Sequence, residues 1–224
     1  MKVVALHGQK HKGSTYHISK MLIDKLDCAK EEVKEYYVND ISDCIGCFQC
    51  IIKGEDNCPH RSQTDDIIQA IEEADVILID SPNYVMNMSG QLKTFFDHMG
   101  YRWMPHRPHP SMKRKIGVAI STTAGMGAKK VTKLIASQMF WWSVGKIYRI
   151  PVAVAAMSWN TVSDNIKTKV EKKTTKVARE INRKSGHIKP GIRTKFVFNI
   201  IKNMHKGQDY NLVDKNYWKD QGWI

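Results

Sequence analysis

The feature that most constrains this chain is a repeated alternation of short apolar runs with segments of helical periodicity. β-type runs occur at residues 2–6 (KVVAL), 32–38 (EVKEYYV), 75–82 (DVILIDSP), 115–122 (KIGVAIST) and 150–157 (IPVAVAAM). Helical spacing follows each in turn, over 14–26, 64–73, 90–99, 128–142 and 162–184. Strands this apolar belong in a parallel sheet covered by helices on both faces, which is the α/β class. Five units within residues 1–184 fit an open, doubly wound five-stranded sheet of order 2-1-3-4-5; a closed eight-unit barrel needs a longer chain. The pattern changes after Lys184, so residues 1–186 are expected to form one domain. Residues 187–224 form a C-terminal extension: the end of a Gly/Pro linker, a short helix with Phe196, Val197, Ile200, Ile201 and Met204 apolar, and an aromatic tail. The extension is expected to pack on its own domain or against a second subunit.

At 224 residues and 42% hydrophobic content the chain can bury a proper core. It contains no apolar run long enough to span a membrane. The opening MKVVALHGQK reads as the first strand rather than a signal peptide, and the expected location is cytoplasmic and reducing. The net charge is +13, and residues 166–206 carry thirteen Lys and Arg against Glu171 and Glu180. No nucleic-acid-binding motif accompanies that charge, so no nucleic acid is expected. It reads as a solvated helix face that attracts anionic partners, such as nicotinamide dinucleotides or an acidic electron carrier.

In an open parallel sheet ligands bind beyond the carboxyl ends of the strands, at the switch in strand order. The loops there have unusual chemistry. HGQKHKGSTY (7–16) offers Gly8 and Gly13 for close backbone approach, with Ser14 and Thr15 at a helix start that suits a phosphate. It matches neither the dinucleotide nor the nucleoside-triphosphate glycine motif, and a plain capped helix start explains Ser14 equally well. SPNYVMNMSGQLKTFFD (81–97) puts Tyr84, Met86 and Met88 at the exit of strand three, where a flat ring can lie or where ordinary core packing suffices. STTAGMGAKK (121–130) supplies two glycines and three hydroxyls after strand four.

Together these stretches resemble the FMN-binding loops of the flavodoxin-like NAD(P)H-dependent FMN reductases. Ser81, Pro82, Tyr84, Met88, Ser89, Gly90, Leu92, Lys93, Phe95 and Asp97 match the family pattern SPxYxxxMSGxLKxFxD, and Thr15 matches in the first loop. Gln9, His11 and Ser14 depart from it, standing where Ser, Arg and Asn are usual. The resemblance spans roughly residues 1–160 and implies a flavodoxin-like fold. It implies FMN held by Gly8, Gln9, His11, Gly13, Ser14 and Thr15, by Ser81, Pro82, Asn83, Tyr84, Val85 and Met86, and by Thr122, Thr123, Ala124, Gly125 and Gly127. It implies NAD(P)H as co-substrate and a homodimer or homotetramer, and it names no catalytic side chain, because the flavin carries the chemistry.

Four of the five cysteines, Cys44, Cys47, Cys50 and Cys58, lie within fifteen residues after strand two, with spacing C-x2-C-x2-C-x7-C followed by Pro59. The loop is expected at the same rim as the flavin loops. Four readings stand: a [4Fe–4S] cluster, bare thiols, structural zinc, and disulfides, which a reducing compartment disfavours. The spacing is similar to that of the iron–sulfur flavoproteins, a branch of the same family, and that resemblance implies all four thiols as ligands of a [4Fe–4S] cluster. Cys28 reads as apolar filler. The Pro-rich connection at 101–115 reads as a lid, with Tyr101 or Trp103 over the flavin.

The expected function is an FMN-dependent oxidoreductase of the iron–sulfur flavoprotein type. It would move electrons between NAD(P)H or ferredoxin, FMN, the cluster and a small-molecule, quinone-like acceptor. The alternatives are a cluster-free quinone, azo or nitro reductase and a non-enzymatic flavodoxin-like electron carrier.

Overall fold

The computed structural model describes residues 1–207 and 209–224. Its centre is a five-stranded sheet in the order β2-β1-β3-β4-β5. The strands are β1 (Val3–His7), β2 (Val33–Tyr37), β3 (Val76–Pro82), β4 (Ile116–Thr123) and β5 (Lys146–Ala153). All neighbours pair in parallel, with Val3 opposite Val33 and Val76, and Ile116 opposite Val76 and Lys146. The sheet is the flavodoxin-like one expected from the alternation.

Side chains of a strand alternate between faces, so each central strand feeds two cores. Val4, Leu6, Ile77, Ile79 and Ala119 bury one face against α3 (Asp65–Glu73), α4 (Gly90–His98) and α5 (Ala128–Trp141). Val3, Ala5, Val76, Leu78, Val118 and Ile120 bury the other against α1 (Ser14–Ile23) and α6 (Asp164–Lys184). Each large aliphatic side chain buried this way contributes about 1.5–3 kcal/mol. Because the chain leaves β1 towards β2 and returns to β3 on the other side, the loops after β1 and β3 part and open a crevice between them.

Strand five forms four residues earlier than its apolar run suggests, at Lys146–Ala153 rather than 150–157. The reason is the edge. Only β4 pairs with it, so the outer positions tolerate Lys146 and Arg149. The amides of Lys146 and Val154 donate to the carbonyls of Lys115, just before β4, and Thr123, at its end, so the backbone N at the odd position Pro151 points off the free edge and no bond is lost. The shift turns residues 154–163 from strand into a loop at the carboxyl rim. The first helix likewise ends at Ile23, three residues short of the expected Leu26.

Residues 101–115 do not form a lid. They make a strap along the body in two short 3-10 turns, Gly100–Arg102 and Pro110–Arg114. Tyr101, Arg102, Met104 and Arg107 are buried in it. Its arginines hold it down: Arg102 pairs with Glu72 at 2.6 Å and Arg107 with Glu55 at 3.0 Å. The extension, α7 (Ile192–Gly207) and α8 (Leu212–Asp220), covers the strap around a third core of Met104, Ile201 and Trp218. Trp218 Nε1 donates to His106 O at 2.6 Å and Tyr217 OH to Pro108 O at 2.9 Å.

Candidate functional site

The crevice at the switch point is a groove of about 470 Å³, walled by the loops after β1, β3, β4 and β5. It brings together His11, Gly13, Ser14, Thr15, Pro82, Asn83, Tyr84, Thr122, Thr123 and Ala124. The other expected flavin contacts are not in its lining, and several of them also have structural work. The Gly8 amide donates to Asp80 O at 2.9 Å, and its carbonyl accepts from Ser89 Oγ at 2.7 Å. A Cβ there would stand 2.8 Å from Ser89 Oγ, so only glycine lets β1 exit against α4. Ser81 Oγ accepts from Ser89 N at 2.9 Å and thereby aligns the start of α4. Gly127 has φ +108, and a Cβ on it would strike the Asn83 amide at 2.6 Å. Gln9 and Gly125 also lie outside the lining, as do Val85 and Met86, which turn outward in the left-handed region at φ +48 and +62.

The groove favours an anion. Helix α1 has Gly13 as its N-cap, which offers no side-chain cap, so its first-turn N–H groups face the groove without a side-chain acceptor. Lys12, His11 and His17 line the same end, and no Asp or Glu lines the groove. Thr15 Oγ1 and Thr122 Oγ1 are hydrogen-bonded at 2.5 Å and tie α1 to the end of β4. On the opposite wall Asn83 Nδ2 donates to Met126 O at 3.0 Å, which leaves its buried Oδ1 without a partner. An uncapped helix start beside Lys12, with hydroxyls and aromatic rings on the other walls, suits a ligand with a phosphate at one end and a flat polar-edged ring at the other.

One wall was not anticipated. Met157, Ser158, Trp159 and Asn160 close the groove beyond β5, and Trp159 stacks on His17 at 5.6 Å and 18°. The apolar run 150–157 masks this loop in the sequence; the signal lies in Ser158, Asn160 and Thr161, turn-forming residues around Trp159 just ahead of the α6 start.

The cysteine loop also leaves the carboxyl edge but leans the other way. Cys44, Cys50 and Phe48 line a separate pocket of about 420 Å³ with Phe96, Trp103 and Gln138, and it shares no lining residue with the groove. Trp103 is in that pocket, stacked on Trp141 at 5.5 Å, and Tyr101 is 2% exposed, so neither covers the groove. All five cysteines are free; Cys44 is exposed and Cys47, Cys50 and Cys58 are half-buried. Burial pushes the Cys50 thiol up, and the neighbouring Cys58, Cys44 and Cys47 push it further against the opposing charge of Arg107. The four thiols are therefore electrostatic neighbours. Among the described residues, however, no three His, Cys, Asp or Glu side chains converge closely enough to ligate a metal ion. Cys28 packs at the edge of the second core, as a filler should.

A flavodoxin-like sheet with an anion-favouring groove at its switch point defines a nucleotide- or flavin-type α/β protein. The comparisons with known proteins narrow this. The family model for NADPH-dependent FMN reductase matches residues 1–159, and the chain belongs to that family of oxidoreductases. It is 28% identical over 237 aligned positions to the "Iron-sulfur flavoprotein" of Archaeoglobus fulgidus, covering all of both chains. The fold is shared with an azoreductase from Bacillus anthracis (TM-score 0.61, 13% identity, 80% of this chain and 99% of that one). It is shared also with an FMN-dependent NADH-azoreductase from Bacillus anthracis solved in complex with FMN (TM-score 0.59, 11% identity, 80% and 100%).

Proposed function

We propose that the groove binds FMN and that the protein passes electrons from NADH or NADPH to a small-molecule, quinone-like acceptor or a ferredoxin, with Cys44, Cys47, Cys50 and Cys58 holding a [4Fe–4S] cluster. The observation that carries the reading is the uncapped start of α1 facing a carboxylate-free groove at the switch point. When bound, FMN supplies the chemistry, taking a hydride and returning electrons. The chain's own residues bind and orient it. The N–H groups of Ser14 and Thr15 and the charge of Lys12 take the phosphate; Thr122 and Thr123 offer hydroxyls to polar ring edges; Tyr84 and Trp159 wall the apolar faces.

Support for the cluster is the donor set: four free thiols in one loop, three of which act electrostatically on Cys50. Supplied there, a cluster would carry single electrons. A cluster-free quinone, azo or nitro reductase is the second reading, and it is favoured by the thiols' lack of convergence. Residues 1–186 would be the catalytic domain and 187–224 an extension that also builds a homodimer or homotetramer. A cytoplasmic, reducing location belongs to the same reading, since it keeps the thiols free.

Anaerobic purification separates these outcomes. The primary reading expects FMN bands, bleaching by NADH or NADPH under argon, and about four iron and four sulfide per chain. Flavin without iron, even after reconstitution, selects the cluster-free reductase. Protein that takes up no flavin defeats both.

A further inference from the structure

Arg107 lies on the strap, yet its guanidinium meets three separate parts of the chain. Nε donates to Glu55 Oε2 at 3.0 Å, and Nη1 donates to Asp214 Oδ1 on α8. Nη1 also reaches the carbonyl of Ile51 at 3.4 Å, and Nη2 donates to that of Cys50. The Arg107 side chain is 3% exposed and that of Asp214 0%. Such a buried charge is retained only where its partners stay in place.

Helix α8 supplies a second hand. Its N-cap, Asn211, accepts from the Val213 and Asp214 amides through Oδ1. Through Nδ2 the same side chain donates to Ile51 O at 3.2 Å and to Asp214 Oδ2 at 2.9 Å. His106 on the strap donates to Asp214 Oδ2 at 2.7 Å, so Asp214 is held from two directions.

The carbonyls so gripped belong to α2 (Gln49–Ile52), a single turn that carries Cys50 and sits between Cys47 and Cys58. A four-residue helix does not hold itself together in water. Cys50 and Ile51 rest against the first core, but Ile45 and Phe48 on its N-terminal side and Ile52 within it are 69%, 65% and 59% exposed, so side-chain packing holds only one face of the turn.

We infer that Arg107, Asn211 and Asp214 form a clamp through which the C-terminal extension fixes the backbone of the cysteine loop, and with it the loop's capacity to assemble a metal cluster. Only the last clause rests on the cluster reading; the clamp itself concerns residues 49–53. All three are positioning residues, and none lines the flavin groove.

Hydrogen exchange on the full-length, cluster-free protein tests the clamp at the amides of Ile51, Ile52 and Lys53, which bond within the turn to Phe48 and Gln49 carbonyls. Asn211→Ala and Arg107→Met should each speed exchange there by about tenfold or more, with Asp214→Asn intermediate. Iron taken up on anaerobic reconstitution should fall by half or more in Asn211→Ala, while FMN affinity stays within about twofold of wild type. If Arg107→Met does not fold, Asn211→Ala decides alone. Unchanged exchange at 49–53 in that variant overturns the clamp, and unchanged iron uptake overturns its link to the cluster. Wild-type protein that takes up no iron removes the cluster reading, while the exchange data still decide the clamp.

Discussion

His7 ends β1 between two carboxylates: Nδ1 meets Asp80 Oδ2 at 2.6 Å and Nε2 meets Glu35 Oε2 at 3.0 Å. A carboxylate oxygen at each ring nitrogen favours the protonated imidazole, in which both nitrogens donate. Burial opposes that charge, but the hydrogen bonds and charges of Asp80 and Glu35 outweigh it and raise the imidazole above its ordinary value. A raised folded pKa means the native state binds more protons than the unfolded chain in that window, so stability falls as pH rises. The His7 contribution should be complete below about pH 6.5 and be lost through the raised value. Urea midpoints measured across that range should decline in the wild type and stay flatter in His7→Gln. A steeper decline in the variant would refute the assignment. Lys12 gives a second residue-level test. Lys12→Glu sets a negative charge beside the phosphate end of the groove, and FMN affinity by fluorescence quenching should fall about tenfold or more. An unchanged affinity would remove Lys12 from the site.

At the scale of elements, the loops depend on contacts their own sequence does not announce. The loop after β4 reaches its groove conformation because Gly127 adopts φ +108 and leaves room for the Asn83 amide. Gly127→Val should cost about 1–3 kcal/mol from backbone strain and weaken FMN binding together with thermal stability. A variant with wild-type melting and wild-type affinity would show that the loop can relax. The strap shows the same dependence. Its prolines suggest an irregular, mobile connection, but its arginines find carboxylates on α3, on the cysteine loop and on α8, and those partners bury it. The extension is fastened by Trp218, fully buried with its N–H on His106 O. Trp218→Ala should cost about 3–5 kcal/mol of the extension's stability. Calorimetry should then show the extension melting ahead of the sheet; a single unshifted transition would count against that fastening.

For the whole molecule, α7 carries an uncovered apolar column. Ile192, Phe196, Ile200 and Met204 recur every fourth residue along it and are 88%, 65%, 46% and 46% exposed. A column of this kind supports the proposed homo-oligomer. Light scattering should therefore show Phe196→Asp with Ile200→Asp as monomer and wild type as dimer or tetramer; a monomeric wild type would refute the proposal. What the sequence determined by itself was whatever is periodic or local. The alternation of strand-type runs with helical ones fixes a parallel sheet, because the central runs, buried on both faces, need helices on each side, and the loop after β3 carries its family pattern in consecutive residues. Gly13, Ser14, Thr15, Asn83, Tyr84 and Thr122 were legible as groove residues for that reason. What only the tertiary structure decided depends on partners distant in sequence. Pairing register, not hydrophobicity, placed β5 four residues early and exposed Trp159 to the groove. Space, not motif, assigned Gly8 and Ser81 to holding α4. Charge pairing across 107 positions joined Arg107 to Asp214 and turned an expected lid into the support of the cysteine loop. Periodicity is written along one chain, whereas a buried ion pair exists only after two distant stretches have met.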